Sequence, residues 1–441
     1  MLLPLITNGN FGRVLATIGL AVYDWLANVA EKDRRRMLTR KQTLKAEPLL
    51  RKDVIEGGGI YSEYRTDDAR LVLSVALTAQ QHGATIMNYV EAVDFLYLNK
   101  KMSGVKAKDV LTGEEFFIQA EQVVNAAGPW VDELRSMDYE EARQKLSLSK
   151  GVHIVVDRNK LPLKRTVYFD NADGRMIFAI PRGASVYLGT TDTLYDGDKQ
   201  EPQITIDDVE YILDACNLMF PEVHLKISDV HSGWSGLRPL IFEKGKSSSE
   251  LSRKDEIFYS RSGLISIAGG KLTGYRKMAE RVVNIVAKRS SAKTGKCITA
   301  QLRLVGGEYA NYEEVEEHVK VLADRMAERS WSETEAEYLV HNYGRQADQI
   351  FQEALKMTDE PAVALSLAEL AYTLENEFVE RSVDFFERRT GRLNFRIKTI
   401  PKVRERVMAF MAEKQRWTPE RLQEENRLLD LALKRVSTFS R

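Results

Sequence analysis

Gly263-Leu-Ile-Ser-Ile-Ala-Gly-Gly-Lys-Leu-Thr-Gly-Tyr-Arg276 carries an apolar run into a glycine pair and then into a segment, 277–288, with helical periodicity. The run reads as a buried strand that the glycines turn into a helix. Such a corner aims several free amide N–H groups at one point, with the positive end of the helix dipole behind them. It suits an anion or a developing negative charge. Lys271 and Arg276 within it add to the positive character. It is not a P-loop, because Tyr275 follows Gly274 where that motif needs lysine. A tight turn with a surface lysine is the plain alternative.

A second corner of the same kind is Val123-Val-Asn-Ala-Ala-Gly-Pro-Trp-Val-Asp132. Here a hydrophobic strand ends in small residues, and Gly128 and Pro129 open a helix with Asp132 in its first turn. Small residues at a strand end permit close approach by a flat ligand.

A chain of 441 residues predicts two or three domains. The 64 basic residues balance 64 acidic ones, which argues against nucleic acid as a partner. Cys216 and Cys297 are far apart and lack metal-ligand spacing, so they fit reduced thiols in a cytoplasm. The histidines at 82, 153, 224, 231, 318 and 341 form no HxxxH or HExxH pattern, and no metal site is expected. The best apolar stretch, 14–22, is far short of the ~20 residues that span a bilayer. Phe11, Val14, Leu15, Ile18, Val22, Trp25, Leu26 and Val29 fall mostly on one helical face, ahead of the basic residues Lys32, Arg34, Arg35, Arg36, Arg40, Lys41 and Lys45. This pattern predicts a core-packed helix followed by a solvated charged one. The alternative is attachment to an anionic membrane surface.

Gly57-Gly58-Gly59 is expected to separate that basic region from a helix capped at Thr66 or Asp67 and ended by Gly83. A strand at 85–89 and a meander at 92–98, 105–111 and 116–120 then feed a strand at 122–126. Between 146 and 253 the chain turns to strands, at 152–156, 166–169, 176–181, 185–190 and 227–237, with one helix at 206–219. Their antiparallel sheet would form one wall of a substrate chamber. After 299 the pattern is almost wholly helical to the end, for example at 312–329, 333–343, 346–355, 365–376, 382–388 and 419–435. The expected division is a substrate (cap) domain from 1–62 and 146–255, a dinucleotide-type domain from 63–145 and 256–300, and an all-α domain at 301–441. The fold class is α/β plus α+β.

Six ordered segments carry a resemblance: Tyr64-Arg-Thr-Asp-Asp-Ala-Arg70, 124–132, Gly189-Thr-Thr-Asp-Thr193, Ser235-Gly-Leu-Arg-Pro239, 269–277 and Phe385-Phe-Glu-Arg-Arg-Thr-Gly-Arg392. Over essentially its whole length the chain resembles the FAD-dependent glycerol-3-phosphate dehydrogenases of the aerobic, respiratory type. The resemblance implies a two-dinucleotide-type flavoprotein fold with an antiparallel substrate domain and a C-terminal all-α domain. The family's Gly-x-Gly-x-x-Gly unit is not found, so the sequence is expected to begin past the nucleotide fingerprint, lacking a βαβ unit of ~30 residues. The expected consequences are unpaired strand edges at 122–126 and 263–268, poor FAD binding and aggregation.

The activity implied is oxidation of glycerol 3-phosphate to dihydroxyacetone phosphate, with hydride passing to FAD and electrons to a quinone. An oxidase yielding hydrogen peroxide and a non-catalytic remnant are the alternatives. Arg238 and Arg253 are the expected phosphate ligands, against a domain-interface role for either. Lys271 would contact both flavin edge and substrate, and the amides of Lys271, Leu272 and Thr273 would stabilise charge on the reduced ring. Ala127, Gly128, Trp130, Gly269, Gly270 and Gly274 complete the cofactor wall. His153 would take the C2 hydroxyl proton, with a structural histidine as the alternative and His231 as a weaker candidate. Arg65 and Asp192 are expected to line the chamber. The helical domain would serve as scaffold or homodimer contact, and peripheral contact would be with the inner face of the cell membrane.

Overall fold

The computed structural model describes residues 1–27, 29–139, 144–242, 254–290 and 294–441. The chain opens with β1 (Leu2–Ile6), α1 (Arg13–Leu26), β2 (Arg36–Thr39), α2 (Arg40–Ala46) and β3 (Ile55–Ile60). The glycine triplet expected to be a spacer is instead the middle of β3, which lies between β1 and β2. Absent side chains let its neighbours close in. A Cβ on Gly57 would stand 2.9 Å from the Leu38 carbonyl oxygen, and one on Gly58 2.9 Å from Thr43 Oγ1.

Helix α1 differs from the expectation too. Ala16, Leu20 and Asp24, spaced one turn apart, face inward. The wider apolar face of Val14, Leu15, Ile18, Val22, Trp25 and Leu26 is exposed, Trp25 by 79%. The buried Asp24 carboxylate fixes the chain after the helix by accepting from the amide and the guanidinium of Arg35, both at 3.1 Å.

Helix α3 (Asp68–Gln81) starts where Asp67 accepts from the Arg70 amide, and ends at Gly83, whose φ is +91°. No strand forms at 85–89. Those residues are tied to the helical domain instead: Asn88 donates to the Phe378 carbonyl and the Tyr89 hydroxyl to Asp384, both at 2.8 Å. The meander follows as β4 (Val90–Leu98), β5 (Lys101–Asp109) and β6 (Glu115–Gln119), and then come β7 (Val124–Asn125) and α4 (Val131–Asp138).

The next stretch contains β8 (Leu146–Asp157), β9 (Val167–Asp170), β10 (Met176–Arg182), β11 (Ser185–Gly189), β12 (Thr193–Tyr195), α5 (Ile206–Met219) and β13 (Val230–Ile241). These strands join β1–β3 in one sheet of nine, in which β8 carries β13 on one edge and β11 then β12 on the other. Helix α5 is begun by a capping box of Thr205 and Asp208. It lays Val209, Ile212, Leu213, Cys216 and Met219 on the back of that sheet, against Ile154, Val156, Ile177 and Leu188. Each such side chain is stabilising by roughly 1.5–3 kcal/mol.

β14 (Asp255–Tyr259) and β15 (Ile265–Gly269) return the chain to a smaller sheet of order β14-β15-β7, followed by α6 (Tyr275–Arg289). β15 is central there, antiparallel to β14 and parallel to β7, so the expected unpaired edge at 263–268 is covered on both sides. The remainder is helical: α7 (Tyr312–Ala327), α8 (Glu333–Tyr343), α9 (Ala347–Ala354), α10 (Pro361–Asn376), a π-helical turn at Asp384–Arg389, α11 (Arg392–Phe395), α12 (Ile400–Gln415) and α13 (Pro419–Ser437). α12 falls within the stretch expected to be helical, although no bounds of its own are readable from the sequence. This domain sits on one end of the large sheet, where Ser185 Oγ donates to the Phe395 carbonyl and Ser232 Oγ to that of Asn394, at 2.9 and 2.5 Å.

Candidate active site

Side chains alternate along β8, so its two faces differ in kind. Val152, Ile154 and Val156 point into the core beneath α5. Ser149, Gly151, His153 and Val155 share the other face. Register then decides their company: Gly189 of β11 and Trp234 of β13 flank His153, Gly236 is opposite Gly151, and Arg238 is opposite Ser149.

Two glycines make room on this face. The guanidinium of Arg238 lies over Gly151, where a Cβ would stand 2.3 Å from Nη2 and 2.5 Å from Nη1. The His153 ring lies over Gly189, where a Cβ would stand 2.5 Å from Cδ2. Trp234 stacks on that ring at 4.9 Å with an interplanar angle of 11°. Arg238 is held by the strand end beyond Gly189, donating to the Thr191 carbonyl at 3.3 Å and to Thr190 Oγ1 at 3.1 Å. Asp192, itself accepting from Ser149 Oγ, stands 3.6 Å from the Arg238 guanidinium. A cation and an imidazole are thus fixed side by side on a rigid strand pair.

Burial, and secondarily the charge of Arg238, pull the His153 pKa from 6.5 down to about 4. The ring is therefore neutral at neutral pH and able to accept a proton. The same shift predicts a stability effect. The folded-state value is below the unfolded one, so the contribution is fully present above pH 6.5 and is lost as pH falls towards 4. The loss is about 3 kcal/mol. Denaturant midpoints at pH 7 and pH 4 test it: His153→Asn should lose less stability on acidification than the parent, and an equal loss refutes the assignment.

The second half of the site is the pair of strand-end corners. β7 and β15 run parallel, with Val124 beside Ile265 and Asn125 beside Ser266, so 126–131 and 270–275 leave the same end of the sheet. Ligands of parallel sheets sit at that end. Asn125 is buried and locks the first corner, donating to the Val131 carbonyl at 2.9 Å and accepting from the Ala127 amide at 3.2 Å. Gly269 and Gly270 have φ of +80° and +86°, and a Cβ on them would meet the Lys254 carbonyl oxygen at 2.4 Å and Met278 Sδ at 2.6 Å. Only glycine satisfies both constraints. Lys271, Leu272 and Thr273 are exposed at the turn into α6.

Packing joins the two halves. Val131, Ala268, Leu146 and Ile241 form one buried cluster, with Ala127 against it. Ile241 is three residues beyond Arg238 on β13, so the corners abut the end of the strand pair that carries Arg238 and His153. Small residues, glycine turns and exposed amides suit the edge of a flat, electron-accepting ring, and the residues present fit a flavin.

The remaining expected residues fall elsewhere. Arg253 lies outside the described residues. Arg65 is at the opposite end of β11 from Thr190, where it donates to the Pro181 carbonyl at 3.0 Å. His231 is at a bulge near the start of β13, in the wall of a separate cavity. Gly151, Gly189 and Trp234 were not anticipated as site residues. A glycine inside an otherwise apolar strand was the available signal.

Fold and site together define an FAD-dependent oxidoreductase: the FAD dependent oxidoreductase family model matches residues 7–276, and that of the C-terminal domain of alpha-glycerophosphate oxidase matches 297–422. The chain is 43% identical to the aerobic glycerol-3-phosphate dehydrogenase of Staphylococcus haemolyticus, over 99% of this chain and 80% of that protein. It is 44% identical to that of Bacillus subtilis, over 95% and 77%. The solved structure of the Bacillus halodurans glycerol-3-phosphate dehydrogenase complexed with FAD matches with a TM-score of 0.84 at 43% identity, over 99% of this chain and 81% of that one. The chain belongs to the aerobic glycerol-3-phosphate dehydrogenase family.

Proposed function

We propose that this chain oxidises glycerol 3-phosphate to dihydroxyacetone phosphate, with FAD as hydride acceptor and a quinone as the final electron acceptor. The observation that carries the reading is the Arg238 guanidinium laid over Gly151 beside a neutral His153. Arg238 binds the phosphate dianion, for which a planar fork of donors is the best fit. His153 accepts the proton of the C2 hydroxyl as the C2–H bond breaks. Phosphate at Arg238 offsets the cation that is the smaller of the two causes depressing the His153 pKa, burial being the larger. The corners at 127–130 and 269–274 would hold FAD, which supplies the hydride acceptor. The amides after Gly270 and the Lys271 ammonium are placed where they would stabilise negative charge at the edge of a bound flavin.

Steady-state assays with a soluble quinone and with oxygen as alternative acceptors test this directly. Glycerol 3-phosphate should drive quinone reduction without matching peroxide formation. Peroxide produced at the same rate in place of quinone reduction would make the chain an oxidase. Lys271→Met should lower kcat/KM about 10–100-fold, the value of one or two charge-assisted hydrogen bonds. An unchanged kcat/KM would return Lys271 to a surface role.

The partner surface follows from α1. Its exposed apolar face ends at Trp25 and Leu26, and the exposed Arg34 and Arg36 follow within ten residues, whereas Lys32 is ion-paired with Glu313. An apolar stripe beside basic residues matches the interface of an anionic bilayer, on which such a helix lies flat. No described helix is long and apolar enough to cross a membrane. Ile18→Ser combined with Trp25→Ser should abolish flotation with anionic vesicles, and glutamate at Arg34 and Arg36 should weaken it. Flotation unaffected by either pair removes the membrane from this reading.

A further inference from the structure

Between the far end of the large sheet and the C-terminal helical domain lies a cavity of about 350 Å³, within the range of small-molecule sites. Its walls come from the end of β8, the β10–β11 turn, the start of β13, α8 and the 394–399 segment. None of His153, Arg238 and Lys271 lines it.

The charges of this cavity are unequal. Four cations, Arg65, Arg182, Arg396 and Lys398, face three carboxylates. Arg182 is paired with Asp67 at 2.6 Å and Lys398 with Asp157 at 2.9 Å. Arg65 and Arg396 remain against Glu337 alone. Arg65 makes a bond to one backbone carbonyl. Arg396 stacks 4.3 Å over the Tyr338 ring, and its buried Nη1 has no acceptor. An anion in the cavity would offset the positive charge that Arg65 and Arg396 leave there. His231 and His341 are held below their usual pKa chiefly by burial, so they offer hydrogen bonds there without adding charge.

We infer that this cavity is a second, non-catalytic site for a small anion bearing a phosphate or carboxylate group, held by Arg396 and Arg65. An occupant would also bear on the active site. Phe395, in the cavity wall, packs edge-on against Trp234 at 5.3 Å, and Trp234 stacks on His153. The column of three rings makes the cavity and the proton acceptor mechanical neighbours.

Calorimetric titration of the full chain with inorganic phosphate and with citrate tests this, using Arg238→Met to remove the catalytic phosphate ligand. The expected result is saturable binding of at least one probe in Arg238→Met, weakened about tenfold by adding Arg396→Met or Arg65→Gln. Arg65 is exposed, so Arg65→Gln decides the matter alone if Arg396→Met fails to fold. Binding that vanishes with Arg238→Met, or that persists undiminished in both cavity variants, overturns the inference.

Discussion

His153→Asn is expected to lower kcat about 10²–10⁴-fold, the usual worth of a positioned general base. Asparagine keeps a planar group against Trp234 and removes the basic nitrogen. KM for glycerol 3-phosphate should change little, because the phosphate is bound by Arg238. The parent should show an acid limb in its pH–rate profile, and the variant should lack it. A structural histidine would behave differently: its loss would lower the melting temperature while leaving kcat and the acid limb in place, and that outcome would sink the base assignment.

Gly151→Ala is the second large effect, and it separates geometry from chemistry. The added methyl would stand 2.3 Å from Arg238 Nη2, 2.5 Å from Nη1 and 2.6 Å from Cζ. These atoms are the far end of a flexible side chain, so Arg238 swings aside and the fold absorbs the change, at roughly 1 kcal/mol or less. The substrate phosphate loses its fork, and kcat/KM should fall about 10²–10³-fold, as for loss of a buried charge partner. The double variant Gly151→Ala with Arg238→Met should be no worse than Arg238→Met alone. Activity near that of the parent in Gly151→Ala, or additive losses in the double variant, would mean that the guanidinium does not act from this niche.

Legibility followed the range of the forces involved. Helix α5 is readable because its acidic first turn, Asp207 and Asp208, and its apolar spacing are both local. The two strand-end corners are readable for the same reason. Register is not local, and nothing near Arg238 in the sequence says that it lies across from Ser149 and over Gly151. The triplet at 57–59 reads as a break because glycine lowers strand propensity, whereas here close approach of Leu38 and Thr43 demands it. In α1 the apolar face was visible, but periodicity alone does not say whether an apolar face meets protein or solvent. Helix α12 lies in the stretch read as almost wholly helical, and its bounds are the harder part to read, since charged residues between Val403, Val407, Met408 and Met411 mask the stripe.

The pairing of β8 with β13 has a bearing on how refolded material should be judged. A slip of one residue between these strands would turn Trp234 and Arg238 towards the core and bring Ser235 and Leu237 to the chamber. Gly151 and Gly236 face each other in mid-ladder, so side chains there do little to oppose a slip. The strands are also distant in sequence, and their closure belongs among the slow events of folding. Recovery of helical signal after dilution from denaturant should therefore precede recovery of catalysis, and turnover per molecule, more than compactness, measures the fraction in correct register.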